Sequence, residues 1–203
     1  MKYAYFNPII VAVEDVPMDV FGTLKNLVAN AHIHNELNDE GDPSISVRGG
    51  QQIQLLPNEL GLDISILEQY VLKVSNDYIT NLEKQTSLKI PYQPVLVSAW
   101  TIKQTSGDYQ VMHSHEAHLS GNIYIDVPTL DENARNTDAC IEFRFPTLKH
   151  PDRFVFHDHW KFTPEIAKMV VFPGYLPHTV YPWNAPGERV ILAWDVKFIA
   201  KNS

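Results

Sequence analysis

The sequence predicts a mainly β protein with N-terminal helices, a sandwich of the jelly-roll type. The 203 residues, 44% of them hydrophobic and 20% charged, suffice for one globular domain with a sizeable core. Two segments with helical periodicity come first, followed by short segments rich in β-branched and aromatic residues. We therefore expect a single domain over residues 1–203, with helical support in 1–90 and a β core in 91–203.

Two amphipathic helices are predicted in the first half of the chain. The first starts near Pro17, which suits the first turn of a helix because its ring fixes φ and it lacks an amide hydrogen. The second runs from Asp63 to about Leu88, with Asp63 or Ser65 as its cap. Apolar residues recur in both at steps of three and four: Val20, Leu24, Leu27 and Val28, then Ile66, Leu67, Tyr70, Val74, Tyr78 and Leu82. The polar segment between them, NELNDEGDPSISVRGGQQ, predicts a long loop.

Seven segments after Pro91 have strand character and are separated by Gly, Pro, Asn or Asp. They are VLVSAWTIKQ, DYQVMHSH, LSGNIYIDVP, ACIEFRF, FVFHDHW, KMVVFP and RVILAWDVKF. Because no helical pattern separates them, an antiparallel sandwich or barrel is favoured over a parallel βαβ sheet.

Charge and cysteine content limit the classes of function. The net charge of -8 argues against nucleic-acid binding, which needs clustered Lys and Arg. Cys140 is the only cysteine, so neither an intramolecular disulfide nor a cysteine-based zinc site is expected. The N-terminal segment lacks the pattern of a signal peptide, and no apolar run reaches transmembrane length. We therefore expect a cytoplasmic protein that contacts no membrane.

The segment HSHEAHLSG concentrates three of the nine histidines within residues 113–118. Side chains alternate along a strand, so His113 and His115 share a face and could supply two adjacent metal ligands. His118 follows the expected end of the strand. The alternative is that these histidines are exposed loop residues without a ligand role.

A second pattern lies downstream, in VVFPGYLPHTVYPWNAPGERVILAWDV. His178 follows a Pro-Gly turn, where a barrel could bring it near the first cluster. Arg189 opens the last apolar strand, and an inward-pointing arginine there would need an anionic partner. A solvent-exposed strand end is the alternative for this arginine.

Together these motifs resemble the Fe(II)/2-oxoglutarate-dependent oxygenases, in particular a family related to prolyl hydroxylases. The matching patterns are H-x-H-x-x-x-L-S-G-x-x-Y, which starts at His113, and F-P-x-x-L-x-H-x-V-x-P, which contains His178. The resemblance also covers SISVRGGQQ, residues 44–52, as a Gly-rich turn before the second helix. It implies a double-stranded β-helix core of the jelly-roll or cupin-like type.

The resemblance implies an iron site in which His113 and His178 are ligands. The usual set has two histidines and one carboxylate, and His115 stands where the family pattern usually has Asp. We expect His113, His115 and His178 as ligands, with Glu116 as the alternative third ligand. HDHW, residues 157–160, is a second H-x-H pattern, but no LSG continuation follows it. His157 and His159 are therefore expected at the rim or surface.

The resemblance further implies that Arg189 binds the distal carboxylate of 2-oxoglutarate, with the hydroxyl of Tyr109 or Tyr124 nearby. No catalytic residue is expected beyond the metal centre. The implied reaction hydroxylates an unactivated C–H bond of a peptide or small molecule with dioxygen, and 2-oxoglutarate becomes succinate and carbon dioxide. The alternatives are a cupin-like three-histidine dioxygenase that does not use 2-oxoglutarate and a non-catalytic jelly-roll binding module.

Overall fold

The computed structural model describes residues 9–37, 50–87, 89, 91–145 and 159–200. Two helices and ten strands are formed by these residues. The N-terminal part contains β1 (Ala12–Asp15), α1 (Met18–Leu37), β2 (Gln51–Leu56) and α2 (Ser65–Thr86). The remaining strands are β3 (Tyr92–Gln104), β4 (Gln110–His113), β5 (Leu119–Asp126), β6 (Ile141–Arg144), β7 (His159–Phe162), β8 (Lys168–Pro173), β9 (His178–Val180) and β10 (Arg189–Ala200).

The strands form two antiparallel sheets. The larger has the order β1-β8-β5-β10-β3-β2, and the smaller has the order β4-β9-β6-β7. Strands distant in sequence are therefore neighbours in space, as the pairing of β10 with both β3 and β5 illustrates. This is the double-stranded β-helix that the sequence predicted, and the predicted fold class is confirmed.

The main core lies between the two helices and the larger sheet. Leu24 of α1 and Leu67 of α2 are fully buried in one cluster with Leu192 and Trp194 of β10. Strand side chains alternate between the two faces of a sheet. Val190, Leu192, Trp194 and Val196 therefore join this helix-covered core. The intervening residues of β10 face the smaller sheet, where the candidate site lies.

Both predicted helices are present, but the predicted cap of α2 was wrong, because Ile64 is the N-cap residue and provides no side-chain cap hydrogen bond. The backbone N–H of Ser65 donates to Oδ1 of Asp63 at 3.0 Å. The helix ends at Thr86, and Ser87 follows with a left-handed φ of 59°. Within the described residues, neither helix has a stretch long and apolar enough to span a membrane.

Three short strands were not predicted. β1 and β2 form the two edges of the larger sheet, so the N-terminal half contributes strands as well as helices. β2 includes Gln51 and Gln52, which the sequence assigned to a loop. β9 places His178 on a strand and not in a turn. Of the predicted strand FVFHDHW, only His159 and Trp160 lie within the described residues, at the start of β7; His157 lies outside them, as do residues 44–49 of the Gly-rich segment.

Candidate metal centre and anion pocket

The floor of the site is formed by three adjacent strands of the larger sheet. The register of β10 places Arg189 opposite Gln104 of β3 and Asp195 opposite Ser120 of β5. Between them, Ile191 lies opposite Tyr124. Because alternate residues share a face, these side chains form rows that point toward the smaller sheet. Most of these side chains, though not that of Asp195, line a cavity that is partly open to solvent.

The smaller sheet covers this floor and brings the histidines together. His113 ends β4 and pairs with His178 of β9, while His115 follows β4 directly. One ligand nitrogen of each of the three lies within 4.8 Å of the others. The ring centroids of His113 and His178 are 4.2 Å apart, and His115 lies 5.4 Å and 5.2 Å from them. The structure thus collects the three predicted histidines at one point of the cavity.

Hydrogen bonds at Nδ1 fix the orientation of all three rings. Nδ1 of His113 donates to the carbonyl of Val111 at 2.7 Å, and Nδ1 of His178 donates to the carbonyl of Leu176 at 3.0 Å. A carbonyl can only accept, so both rings carry their proton on Nδ1. Nδ1 of His115 lies 3.0 and 3.1 Å from the two carboxylate oxygens of Asp195. The Nε2 lone pairs are consequently the ones available to a metal ion.

Burial keeps the cluster in the state that binds metals. Desolvation lowers the pKa of His178 to about 3, with a further contribution from His113. Desolvation also lowers the pKa of His113, and this outweighs its bond to the carbonyl of Val111. Both rings are therefore neutral at neutral pH, and a neutral imidazole is the form that coordinates a cation.

Aromatic side chains hold the histidine rings from the outside. His115 stacks on Trp100 with ring centroids 5.6 Å apart. Phe172 packs edge-on against both His115 and His178, and Phe143 contacts His178 from the side of the smaller sheet. These rings restrict rotation of the imidazoles and shield them from water.

Asp195 is a site residue that the sequence reasoning missed. Besides its contact with His115, it accepts a hydrogen bond from Oγ of Ser120 at 2.5 Å. The side chains of Asp195 and His115 are each 15% exposed, so the pair is largely shielded from solvent. The signal was present in RVILAWDV, because Asp195 lies on the same alternating face as Arg189.

Arg189 is buried at the other end of the floor. Its Nε and Nη2 donate to Oε1 of Gln104 at 3.0 and 2.7 Å, and Nη1 donates to the carbonyl of Ala139. The ring of Trp183 packs over the guanidinium at 5.0 Å. Burial lowers the pKa of Arg189 to about 10, so the group is still cationic at neutral pH. Among the described residues no carboxylate forms an ion pair with it.

The remaining predicted site residues have different positions. Tyr124 is buried and lines the cavity, and burial raises its pKa to about 12, so its hydroxyl stays protonated. Tyr109 is 37% exposed and is not among the residues that line the cavity. Glu116 is exposed and is not part of the described histidine cluster.

The structure combines a double-stranded β-helix with three histidines that could hold a metal ion, and sequence comparison indicates which family this combination resembles. Residues 98–195 match the family model described as "Putative 2OG-Fe(II) oxygenase". No curated protein sequence matches the chain.

Solved structures share the fold over nearly the whole chain. AviO1 from Streptomyces viridochromogenes has a TM-score of 0.61 at 12% identity, over 95% of this chain and 92% of that one. A prolyl-4-hydroxylase from Pseudomonas putida has a TM-score of 0.56 at 16% identity, over 95% and 93%. The viral collagen prolyl hydroxylase of Paramecium Bursaria Chlorella virus-1, in complex with 2-oxoglutarate, has a TM-score of 0.55 at 13% identity, over 94% and 96%.

These findings confirm the resemblance that the sequence motifs indicated. The match covers residues 98–195, which contain most of the β core and the whole site. Fe(II) and 2-oxoglutarate are accordingly the metal and the co-substrate of the family that this segment matches. At identities this low, the solved structures show only that the fold is shared. They do not identify the substrate.

Proposed function

We propose that this protein hydroxylates an unactivated C–H bond of a peptide or small-molecule substrate. One atom of dioxygen goes to the hydroxyl group of the product and the other to succinate, while 2-oxoglutarate loses carbon dioxide. The observation that carries the proposal is a cavity with three converging histidines and a buried arginine that has no acidic partner among the described residues. Neutral imidazoles can coordinate iron, and a buried guanidinium can bind a carboxylate.

The iron would be held by Nε2 of His113, His115 and His178, since each Nδ1 is already engaged. When bound, the iron supplies the activation of dioxygen and the oxidation of the C–H bond. Three neutral imidazoles add no negative charge to the metal. Asp195 provides one at the far side of His115, where it orients the ring and makes it a stronger donor.

The co-substrate would be held at the end of the cavity that contains Arg189. Its distal carboxylate needs a cation and hydrogen-bond donors away from water, and Arg189 is 1% exposed. The side chain of Tyr124 lines the same cavity, and its hydroxyl is protonated. It also interacts electrostatically with Arg189. Apolar side chains such as Ile102, Ile191 and Val180 form the lining near these groups and keep water from competing.

A three-histidine dioxygenase that does not use 2-oxoglutarate is the second candidate. His115 favours it, because an imidazole stands where the family pattern usually has a carboxylate ligand. The two candidates differ in the role they give to Arg189. Binding of 2-oxoglutarate explains why a charged side chain is buried there, whereas a dioxygenase that does not use 2-oxoglutarate leaves this charge unexplained. A non-catalytic binding module, the third possibility, would bind no iron.

The proposal is tested by calorimetric titration of 2-oxoglutarate into the anaerobic Fe(II)-loaded protein. Arg189→Met should weaken binding about 10- to 100-fold, the value of one or two charge-assisted hydrogen bonds. Lys197→Met, which removes an exposed cation from the same strand, is the control and should bind as the unmodified protein does. Iron binding without any heat from 2-oxoglutarate would support the second candidate instead.

A further inference from the structure

The side chain of Gln104 contacts Arg189 through its amide oxygen, and its amide nitrogen has no hydrogen-bond partner among the described residues. A guanidinium has only donors, so the amide oxygen of Gln104 must face it, and it accepts bonds from both Nε and Nη2. The amide nitrogen Nε2 then points away from Arg189. It is buried and has no hydrogen-bond partner within the described part of the chain, although Gln104 lines the cavity. A buried amide that lacks a partner is costly, which suggests that a ligand completes it.

The contacts of Arg189 leave it oriented but not neutralised. Two of its five N–H groups go to Gln104, and Nη1 donates to the carbonyls of Ala139 and Tyr181. One N–H on Nη2 remains for a ligand. A glutamate at position 104 would have the same shape but would cancel the charge. Glutamine holds the guanidinium in place and preserves the site for an anion.

Two features of the backbone hold the side chain of Gln104 beside Arg189. Gln104 and Arg189 are directly paired residues of β3 and β10, so their side chains are neighbours on one face of the sheet. Gly50 packs against Gln104 from outside the cavity, and a Cβ there would lie 2.5 Å from Cγ of Gln104. Since Gly50 also has a φ of 87°, a side chain is excluded at this position for two reasons. The last glycine of the segment SISVRGG thus gives Gln104 the space that its side chain occupies.

We propose that Gln104 is a co-substrate-binding and positioning residue. Its Oε1 orients Arg189, and its Nε2 donates a hydrogen bond to the distal carboxylate of the co-substrate, beside the remaining Nη2 N–H of Arg189. The inference rests on the proposed function, because the anion it assigns is 2-oxoglutarate. It accounts for a buried cation, its neutral partner and the unsatisfied amide with one ligand.

The substitution Gln104→Glu tests this directly, because it keeps the shape of the side chain and places a carboxylate against Arg189. We expect the affinity for 2-oxoglutarate, titrated into the anaerobic Fe(II)-loaded protein, to fall by about 100-fold or more, since a donor is lost and the cation is neutralised. The affinity for Fe(II) alone should not change, since Gln104 does not contact the histidines. Gln93→Glu, the same change at an exposed position of β3, is the control.

A second variant separates binding from folding. Gln104→Met has a similar size without charge or amide, and we expect it to weaken 2-oxoglutarate binding about tenfold with Fe(II) affinity retained. If both variants bind 2-oxoglutarate within threefold of the unmodified protein, the role of Gln104 is refuted while the proposed function stands. If the unmodified Fe(II)-loaded protein binds no 2-oxoglutarate, both proposals fail together.

Discussion

Each histidine of the cluster can bind a metal because its other nitrogen is already committed. The backbone carbonyls of Val111 and Leu176 hold His113 and His178, and the carboxylate of Asp195 holds His115. The three partners differ in charge, and the negatively charged Asp195 should raise the basicity of its imidazole more than a neutral carbonyl does. Asp195 should therefore affect metal affinity more than its distance from the metal would suggest.

Replacement of Asp195 by Asn tests this effect. The amide oxygen can still accept the proton on Nδ1 of His115, but the negative charge is lost. We expect Fe(II) affinity to fall about 10- to 100-fold, the range found for partners of metal-binding histidines. Anaerobic Fe(II) titration measures this affinity, with Asp126→Asn, an exposed acid at the end of β5, as the control. Equal affinities of the two variants would mean that Asp195 only packs against His115.

At the residue scale, short motifs were sufficient to predict that the histidines and Arg189 would lie in one place, and they line one cavity. H-x-H on a strand gives two side chains on one face, and the distal histidine and arginine followed from the resemblance. Asp195 was missed because an acid near the middle of an apolar strand has no motif of its own, and its partner Ser120 lies on another strand. Tyr109 was proposed from its position before β4, but sequence position does not determine exposure.

At the scale of elements, two turns are joined so that the ligands stay in register. The N–H of His115 donates to the carbonyl of Gly174 at 2.8 Å, and the N–H of Gly174 donates to the carbonyl of His118 at 3.3 Å. The connection from β4 to β5 is thereby tied to the turn between β8 and β9. Since these segments precede or contain the ligands, the position of His115 relative to His178 depends on Gly174.

Gly174→Ala should therefore weaken the site as well as the fold. A Cβ at this position would lie 2.3 Å from the carbonyl oxygen of Ala117, so the two turns must separate. We expect a loss of about 1–3 kcal/mol in the free energy of unfolding, together with weaker Fe(II) binding. Gly22→Ala in α1, where a Cβ would meet no atom within 4 Å, is the control and should stabilise by about 0.5–1 kcal/mol. Chemical denaturation and metal titration give both quantities, and unchanged Fe(II) affinity in a destabilised Gly174→Ala protein would contradict the coupling.

The longer elements were predictable and the shortest were not. Both helices have 20 residues or more, enough turns for apolar periodicity to be visible. β1 has the sequence AVED and mostly exposed side chains, so it has no hydrophobic alternation, and β9 has three residues. Such strands exist because a neighbouring strand supplies their hydrogen bonds, which is a property of the tertiary structure.

At the scale of the whole molecule, one face of β10 packs into the hydrophobic core and the other contributes residues to the candidate site. Leu192 and Trp194 pack under the helices, whereas Arg189 lines the cavity and Asp195 contacts His115. The sequence indicated the fold class through its many short strands. It could not indicate that β10 lies between β3 and β5, because pairing between distant strands leaves no local signal. The family resemblance implied a double-stranded β-helix core, without assigning the partners of this strand.

The central claim is that one cavity binds Fe(II) through the three histidines and 2-oxoglutarate beside them. The measurement that tests it most directly is an anaerobic titration of Fe(II) into the metal-free protein, with and without 2-oxoglutarate, followed by the visible charge-transfer band of their chelate. We predict a band that requires both components, is absent in His178→Ala and persists in His34→Ala, which removes an exposed histidine of α1. A band that persists in His178→Ala, or its absence from the unmodified protein, would contradict the account.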